Sequence, residues 1–265
     1  MSSGKRVAGP NLCSKNMRIA IQEKKVKSIL SKSGIPGIDY CINPYTGCAH
    51  GCRYCYATFM KRYTGHTEEW GSFVDVKVNA SEVLQRQIKR ATGHVILSSV
   101  TDPYQPLEEK YGLTRKCLEI LLPGQFSVGI LTKSPLVLRD IEVIRKFEQI
   151  EVGLTITTDD EEMRKTFEPG ASPISARIQA LKTLHEKGIR TYAFIGPILP
   201  LQPEALAKKI YPYVQRVLID RMNYVFQTRK MFERMNLGKW LDDDYVDDII
   251  YRLKTGLAGK DVCIC

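Results

Sequence analysis

The chain has 265 residues, enough to bury a core without help from a disulfide or a metal ion. Its 43% hydrophobic and 26% charged residues are ordinary globular proportions, which exclude a disordered or collagen-like protein. No apolar run reaches the ~20 residues of a membrane helix, and residues 1–17 lack the apolar segment of a signal peptide. We therefore expect a cytoplasmic protein with no membrane partner.

Positive charge is concentrated at one end of the chain. The net charge is +10, and residues 1–62 contain eleven basic residues against two acidic ones, whereas the remaining 203 residues are nearly neutral. Such clustering suggests an anionic partner, and nucleic acid is the first candidate. The alternative is a solvated N-terminal arm without a partner.

Strand-like and helix-like segments alternate along most of the chain. A helix is predicted over Met17–Leu30, and later apolar runs predict the strands Gly71–Val78, His94–Val100, Phe126–Thr132, Ile150–Thr157, Arg190–Ile198 and Arg216–Met222. Helical periodicity is found at Ala80–Ala91, Thr114–Leu122, Val137–Phe147, Ser175–Lys187, Pro203–Tyr213 and Asp242–Leu253. This alternation favours an α/β fold with a parallel sheet whose strands are buried on both faces.

Three of the eight cysteines lie within eight residues, at Cys48, Cys52 and Cys55. Because disulfides are rare in a reducing compartment, this C-x3-C-x2-C spacing indicates a metal site. Structural zinc usually takes four ligands in two pairs; the chain has no second C-x-x-C pair, and His50, which would complete the set, lies inside the tight loop. Three thiolates fit a four-iron cluster that leaves one iron without a protein ligand.

The cysteine motif, with an aromatic residue before its last cysteine, resembles that of the radical S-adenosylmethionine (SAM) superfamily. Further motifs, in family order over about residues 35–220, resemble the spore photoproduct lyase-like branch: Asn43-Pro-Tyr-Thr-Gly-Cys48, Val100-Thr-Asp-Pro-Tyr-Gln-Pro-Leu-Glu108, Leu131-Thr-Lys-Ser134, Arg139-Asp140, Phe167-Glu-Pro-Gly170, Arg177 and Gly196-Pro-Ile-Leu-Pro200.

The resemblance implies a partial (β/α)6 TIM-like barrel over residues 35–222, with a basic N-terminal extension (1–34) and a helical C-terminal tail (223–265). The first barrel strand is then expected around Asp39–Asn43, and ligands bind at the carboxyl ends of the strands. Phe226, Trp240 and Tyr245 are expected to pack the tail helices across one end of the barrel.

The resemblance also implies the chemistry. A [4Fe-4S] cluster on Cys48, Cys52 and Cys55 would bind S-adenosyl-L-methionine at its open iron and cleave it reductively to a 5′-deoxyadenosyl radical, which abstracts hydrogen from the substrate. The protein positions and shields this chemistry. A reducing protein such as ferredoxin or flavodoxin is the implied electron donor.

Four positions match residues that contact SAM in the family. The resemblance assigns Thr101 to the methionine moiety, Lys133 to its carboxylate, Thr155 to the ribose with Thr157 as a rival, and Gly196 to the adenine. Each has a plain structural alternative: a hydroxyl satisfied at a strand end for Thr101, a solvated loop lysine for Lys133, and a tight turn for Gly196.

Two tyrosines of the motif are candidate catalytic residues. Tyr54 is expected to lie against the cofactor, and both Tyr54 and Tyr56 match tyrosines near the lyase reaction path. Glu168 and Arg177 are expected to pair and fix the loop after the fourth barrel strand. Asp102, Tyr104 and Gln105 follow the second strand at the barrel mouth, where each either caps the next helix or contacts substrate.

The sequence departs from the lyase in two places. The stretch Ser98-Ser99-Val100-Thr101 lacks the cysteine expected of a lyase hydrogen donor, and the tail after Tyr213 does not resemble the lyase's DNA-gripping segment. Repair of thymine dimers is therefore not expected. Nucleic acid remains the leading substrate class, and a protein, peptide or metabolite is the alternative. A non-catalytic zinc-containing nucleic-acid-binding protein is the rival from another class.

The remaining cysteines have several interpretations. Cys263 and Cys265 are expected to be frayed terminal thiols. The alternatives are ligation of a second cluster together with Cys13 or Cys41, and hydrogen donation at the barrel mouth. Cys117 is expected to be a small buried side chain.

Overall fold

The computed structural model describes residues 19–265, which form two compact units. The first unit contains residues 19–51, 56–130 and 139–150. Its strands and α-helices are β1 (Ala20–Lys24), β2 (Leu30–Lys32), β3 (Tyr40–Ile42), β4 (Tyr45–Thr46), β5 (Phe73–Lys77), α1 (Ala80–Gln87), β6 (His94–Leu97), α2 (Glu108–Tyr111), α3 (Leu113–Leu121), β7 (Ser127–Thr132, whose last two residues belong to the second unit) and α4 (Ile141–Ile144).

Two groups of strands form in the first unit. In one, β2, β3, β6 and β7 lie side by side in that order; β2 is antiparallel to β3, and the other pairs are parallel. In the other, β5 pairs in parallel with β1 and antiparallel with β4. Beneath this small sheet, Ile21, Tyr45, Val74 and Val76 pack with Leu113 of α3. This cluster ties the segment that leads into the cysteine loop to the body of the unit.

The second unit contains residues 52–55, 131–138 and 151–265. It holds β8 (Ile150–Thr155, apart from its first residue), α5 (Glu161–Phe167), α6 (Ile174–Glu186), β9 (Arg190–Ile195), α7 (Pro203–Ile210), β10 (Arg216–Ile219), α8 (Val225–Arg234), α9 (Asp243–Gly256) and β11 (Asp261–Ile264). The strands β8, β9, β10 and β11 pair in that order, and every pair is parallel. The expected strand and helix alternation is therefore present in both units.

Short polar residues begin two of these helices. The Asp160 carboxylate accepts hydrogen bonds from the Glu162 and Met163 amides at the start of α5, and Asp242 accepts one from the Tyr245 amide at the start of α9. Short 3-10 helices fill other connections, at Tyr56–Tyr63, Ile88–Arg90, Leu122–Gly124, Pro135–Asp140, Tyr211–Tyr213 and Gly238–Leu241. Within residues 19–265, no helix is both long and apolar enough to cross a membrane.

The predicted helix over Met17–Leu30 is wrong for the part that the structure describes. Residues Ala20–Lys24 form β1, which pairs with Phe73–Lys77. The partner strand supplies the backbone hydrogen bonds, and Ile21 faces the cluster that also contains Val74 and Val76. The Asn79 side chain, just before α1, bonds both the amide and the carbonyl of Val26 at 2.9 Å. Met17 and Arg18 lie outside the described residues.

The tail also differs from expectation. It is not wholly helical, because Asp261–Ile264 forms β11 beside β10, and Cys263 is therefore part of a strand rather than a frayed end. Phe226 is largely exposed and does not join the tail's core, whereas Trp240 is buried with its ring 5.2 Å from that of Tyr245. Cys117 is fully buried, as expected, and Cys13 lies outside the described residues.

Candidate active site

Glycines shape the first half of the cysteine loop, which we define as residues 47–55. Gly47 has φ +88°, and a Cβ there would lie 2.4 Å from the carbonyl oxygen of Phe73. At Gly71, with φ +97°, a Cβ would lie 2.6 Å from Cα of Gly51. Side chains at these positions would collide with main chain that cannot move aside. The glycines therefore let the loop pack directly against the start of β5.

The main chain of this half is held by residues that follow β6. The Gly47 carbonyl accepts hydrogen bonds from Thr101 Oγ1 at 2.7 Å and from Gln105 Nε2 at 3.3 Å, and the Ala49 amide donates to Gln105 Oε1 at 2.9 Å. Gln105 is fully buried. Gln105 therefore fixes the loop, a role that its expected position at the barrel mouth did not indicate. The Thr101 hydroxyl therefore has a partner in the loop rather than at the strand end, and its assignment to the methionine moiety stays a prediction.

His50 and Asp102 form another contact across this half. His50 is almost fully buried, and its Nε2 lies 3.2 Å from Asp102 Oδ2. The other carboxylate oxygen of Asp102 accepts the Tyr104 amide at 2.8 Å. His50 is thus directed towards a carboxylate of the following segment, and Asp102 connects the loop to the turn after β6.

Asn43 has a positioning role that the sequence did not indicate. Its side-chain carbonyl accepts the amides of Ser99 at 2.9 Å and Val100 at 3.1 Å, and its amide donates to Ser99 Oγ at 3.3 Å. These bonds hold the end of β6, where Ser98 has φ +70°. The available signal was its place at the start of the Asn43-Pro-Tyr-Thr-Gly-Cys48 motif.

The three cysteines of the loop are sheltered to different degrees. Cys48 is buried, while Cys52 and Cys55 are half-buried. Burial raises the pKa of the Cys52 thiol to about 12, although the nearby Lys133 ammonium acts in the opposite direction. Without a metal this thiol therefore carries its proton at neutral pH, and a metal that binds it must displace that proton.

Tyr54 is anchored through its hydroxyl to a buried carboxylate. The Tyr54 hydroxyl donates a short hydrogen bond to Glu168 Oε1, which also accepts Thr157 Oγ1 at 3.0 Å. Next to Tyr54, the Arg53 amide donates to the carbonyl of Phe167 at 2.8 Å. Burial, followed by the neighbouring Glu168 charge, raises the pKa of Tyr54 well above its ordinary value. The second half of the loop is therefore fixed to the end of α5.

Glu168 and Arg177 form the predicted pair, fully buried, with Arg177 Nη2 2.5 Å from Glu168 Oε2. Arg177 also donates to the carbonyls of Thr155 at 3.0 Å and Ser172 at 2.9 Å. Burial alone would raise the pKa of Glu168, but the positive charges of Arg177 and Lys133 outweigh burial and hold it below its usual value. Glu168 is thus an ionised anchor at neutral pH.

Lys133 begins the segment after β7 and lies on the face of Tyr54. Its Nζ is 5.8 Å from the centre of the Tyr54 ring, a cation–π distance. The positive charge of Lys133 also lowers the pKa values of Cys52 and Glu168. An ammonium beside a predicted iron ligand is a suitable partner for the carboxylate of a small molecule.

The other predicted site residues take different environments. Thr155 is buried at the end of β8, where its carbonyl accepts Arg177. At Gly196, after β9, a Cβ would lie 2.4 Å from Cζ of Phe194 and 2.9 Å from Cβ of Asp220, so glycine is required by packing. Tyr56 is half-exposed and donates to the carbonyl of Ser99, unlike the buried Tyr54.

The chemistry of the loop fits an iron–sulfur centre. Its three thiols come from one short glycine-containing segment, and each thiolate of such a centre binds a different iron. Within residues 19–265, no group of three or more His, Cys, Asp or Glu side chains is arranged to hold a single metal ion. The assignment of the three cysteines as ligands stays a prediction from the motif.

Comparison with known proteins identifies the family. The model of the Radical SAM superfamily matches residues 42–208, more than half of the chain. An uncharacterized protein of Methanocaldococcus jannaschii is 36% identical over 261 residues, which cover 94% of this chain and 99% of that protein.

Solved structures agree with the predicted fold. Spore photoproduct lyase complexed with a dinucleoside spore photoproduct superposes with a TM-score of 0.66 at 14% identity, over 93% of this chain and 82% of that one. Streptococcus suis SuiB bound to the precursor peptide SuiA gives a TM-score of 0.56 at 17% identity, over 85% of this chain and 48% of that one. The predicted partial TIM-like barrel and the likeness to the lyase are confirmed in the fold. The chain belongs to the radical SAM superfamily and is a radical SAM enzyme.

Proposed function

We propose that this enzyme holds a [4Fe-4S] cluster on Cys48, Cys52 and Cys55 and uses S-adenosyl-L-methionine to abstract hydrogen from a nucleic-acid substrate. The position of Lys133 carries the proposal. Its ammonium lies on the ring of Tyr54, and Tyr54 follows Cys52 by two residues in the chain. The positive charge of Lys133 also lowers the pKa of the Cys52 thiol. An amino acid bound to an iron beside Cys52 would place its carboxylate within reach of such a cation.

The reduced cluster, when bound, supplies the electron that cleaves SAM to methionine and a 5′-deoxyadenosyl radical. The protein's own residues bind and orient. Lys133 binds the carboxylate of SAM, while Tyr54, anchored by Glu168, forms a wall of the cofactor site. Gln105 holds the main chain of the first half of the loop at Ala49. Thr101, Thr155 and Gly196 stay assigned to the methionine, the ribose and the adenine of SAM.

A nucleic-acid substrate is supported by charge and by fold. Residues 1–62 carry nine more positive than negative charges, which favours a polyphosphate partner. The lyase of similar fold was solved with a dinucleoside bound. A peptide substrate is the second candidate, because SuiB, also of similar fold, was solved with a precursor peptide. Phosphate contacts would make substrate binding weaken steeply with salt, whereas binding of a neutral peptide would change little.

The test begins with anaerobically reconstituted protein. We expect about four irons per chain and release of 5′-deoxyadenosine from SAM with dithionite, or with a ferredoxin or flavodoxin as electron donor. Cys52→Ala should lose both the iron and the product. Cys117→Ala is the matched control, because Cys117 is a buried thiol of α3 and should leave both intact. Bound zinc and no SAM cleavage in the unmodified protein would refute the proposal.

A further inference from the structure

An eight-residue 3-10 helix starts directly after Cys55 and presents aromatic side chains to solvent. We call this segment, Tyr56–Tyr63, the aromatic helix. Phe59 and Tyr63 are 42% and 68% exposed, although Ala57 anchors the helix in the first unit. Single exposed aromatic residues are common on protein surfaces, but two within five residues, beside a cation, form a patch that needs an explanation.

The exposed rings are organised around one arginine. A 3-10 helix has three residues per turn, so Tyr56, Phe59 and Arg62 follow one another along one face. The guanidinium of Arg62 lies 5.6 Å from the ring centre of Phe59 and 4.8 Å from that of Tyr63. The cation therefore holds both rings in place while their outer surfaces stay open.

The charge of this patch is positive. Arg62 forms no ion pair within the described part of the chain, and Lys61 donates from Nζ to the carbonyl of Thr67 at 3.0 Å, a contact that leaves its charge uncompensated. A ligand that combines flat, stackable faces with negative charge therefore complements the patch. Single-stranded nucleic acid has both: every base offers a π face, and every nucleotide carries a phosphate.

We propose that the aromatic helix binds single-stranded nucleic acid, with unpaired bases stacked on Phe59 and Tyr63 and a phosphate beside Arg62. The proposal rests on the proposed function in that it names the form of nucleic acid offered to the enzyme. The aromatic helix occupies the eight residues directly after Cys55, the last predicted cluster ligand. A duplex keeps its bases stacked on one another, so its bases cannot use these rings.

The experiment measures binding of fluorescently labelled oligonucleotides of about 12 nucleotides to the reconstituted enzyme by anisotropy. Single-stranded DNA, single-stranded RNA and duplex DNA are compared. Because a stacked base contributes about 1–3 kcal/mol, Phe59→Ala and Tyr63→Ala should each weaken single-strand binding by about 5- to 160-fold. Tyr251→Ala on α9 is the matched control, since that tyrosine is 70% exposed and should leave binding unchanged.

Further readouts separate stacking from charge and binding from catalysis. Arg62→Gln should make the slope of log affinity against log salt concentration less steep by about 1, the change expected when one phosphate contact is lost. Release of 5′-deoxyadenosine without substrate should equal that of the unmodified enzyme in Phe59→Ala and Tyr63→Ala. If SAM is not cleaved by any form but Phe59→Ala still weakens binding, the catalytic proposal fails and the surface stands.

Three results would overturn the inference. In the first, the double variant Phe59→Ala, Tyr63→Ala binds single strands as tightly as the control Tyr251→Ala does. Another is equal affinity for duplex and single strands that neither substitution changes. The third is an unmodified enzyme that binds an acidic peptide but no oligonucleotide, which would assign the patch to a protein partner.

Discussion

Replacing Glu168 by glutamine tests whether the buried ion pair with Arg177 anchors the site. The substitution keeps the shape of the side chain and removes its charge. In the unmodified protein, the Glu168 carboxylate accepts hydrogen bonds from Tyr54, Thr157 and Arg177. A glutamine has one acceptor oxygen and one amide donor, so one orientation sets its NH2 against Arg177 and the other sets it against the two hydroxyls.

The expected cost follows from burial. Both members of the pair are fully buried, and removal of one partner from a buried pair costs about 3–5 kcal/mol because the other charge is left uncompensated. In a chain of this length each kcal/mol lowers the melting temperature by about 2–4 °C, so a loss of about 6–20 °C is expected. A double-mutant cycle with Arg177→Met should give a coupling free energy of about 1–3 kcal/mol.

The assay is thermal and urea unfolding, followed by 5′-deoxyadenosine release from reconstituted protein. Release should fall because Tyr54 loses a charged acceptor and the second half of the cysteine loop loosens. The pKa of Glu168 lies below its ordinary value, so its stabilisation is fully present above the unfolded-state pKa of about 4.3 and is lost as the pH falls through the folded-state pKa. The stability gap between the two proteins should therefore be constant near neutrality and narrow below about pH 4.3. A gap under about 1 kcal/mol at pH 7, with zero coupling to Arg177, would refute the anchoring role.

Two further residues of the candidate site can be tested by substitution. Lys133→Met should raise the KM for SAM about tenfold, the cost of one charge-assisted bond, and should leave the iron content unchanged. Lys133→Arg should recover part of the affinity, and an unchanged KM for both variants would contradict the carboxylate contact. Gly196→Ala should lower the free energy of unfolding by about 1–3 kcal/mol, because its methyl group would overlap the Phe194 ring and Asp220 Cβ. Phe194→Leu should relieve much of that loss, and equal urea midpoints for Gly196→Ala and the unmodified protein would show that the packing is looser than the distances indicate.

Local patterns predicted the strands of the sheet well. The run Phe126–Thr132 corresponds to β7 at Ser127–Thr132, and Arg190–Ile198 corresponds to β9 at Arg190–Ile195. Such runs are apolar because both of their faces are covered, so the sequence itself carries the signal. Their ends were placed less well: the prediction for β7 began one residue too early, and the prediction for β9 continued through Gly196-Pro197-Ile198, which lie beyond the strand.

The elements that were missed depend on distant partners. The segment Ala20–Lys24 has no strong preference of its own, and its conformation follows from pairing with Phe73–Lys77, more than 50 residues later. The strand Asp261–Ile264 is short and exposed, and its pairing with β10 decides its conformation. A sequence read in short windows contains neither pairing.

The same distinction applies to the site. The cysteine spacing is a local pattern, so the motif alone was enough to predict where the cysteine loop lies. The Glu168–Arg177 pair spans nine residues and was predicted, but its contact with Tyr54 joins residues 114 positions apart. Gln105 likewise reaches back 56 residues to Ala49. Motifs indicated that these residues matter, and the fold was needed to show what each one touches.

The clamp of Gln105 on the cysteine loop has a consequence for how the enzyme is loaded and repaired. Its bonds to Ala49 and Gly47 join protein to protein and need no iron. A loop fixed in this way loses little conformational entropy when a cluster is inserted, in contrast to small zinc domains that fold only around their metal. For the proposed cluster, we therefore expect loss of iron to oxygen to leave the scaffold folded, so that the same polypeptide can be reloaded rather than replaced.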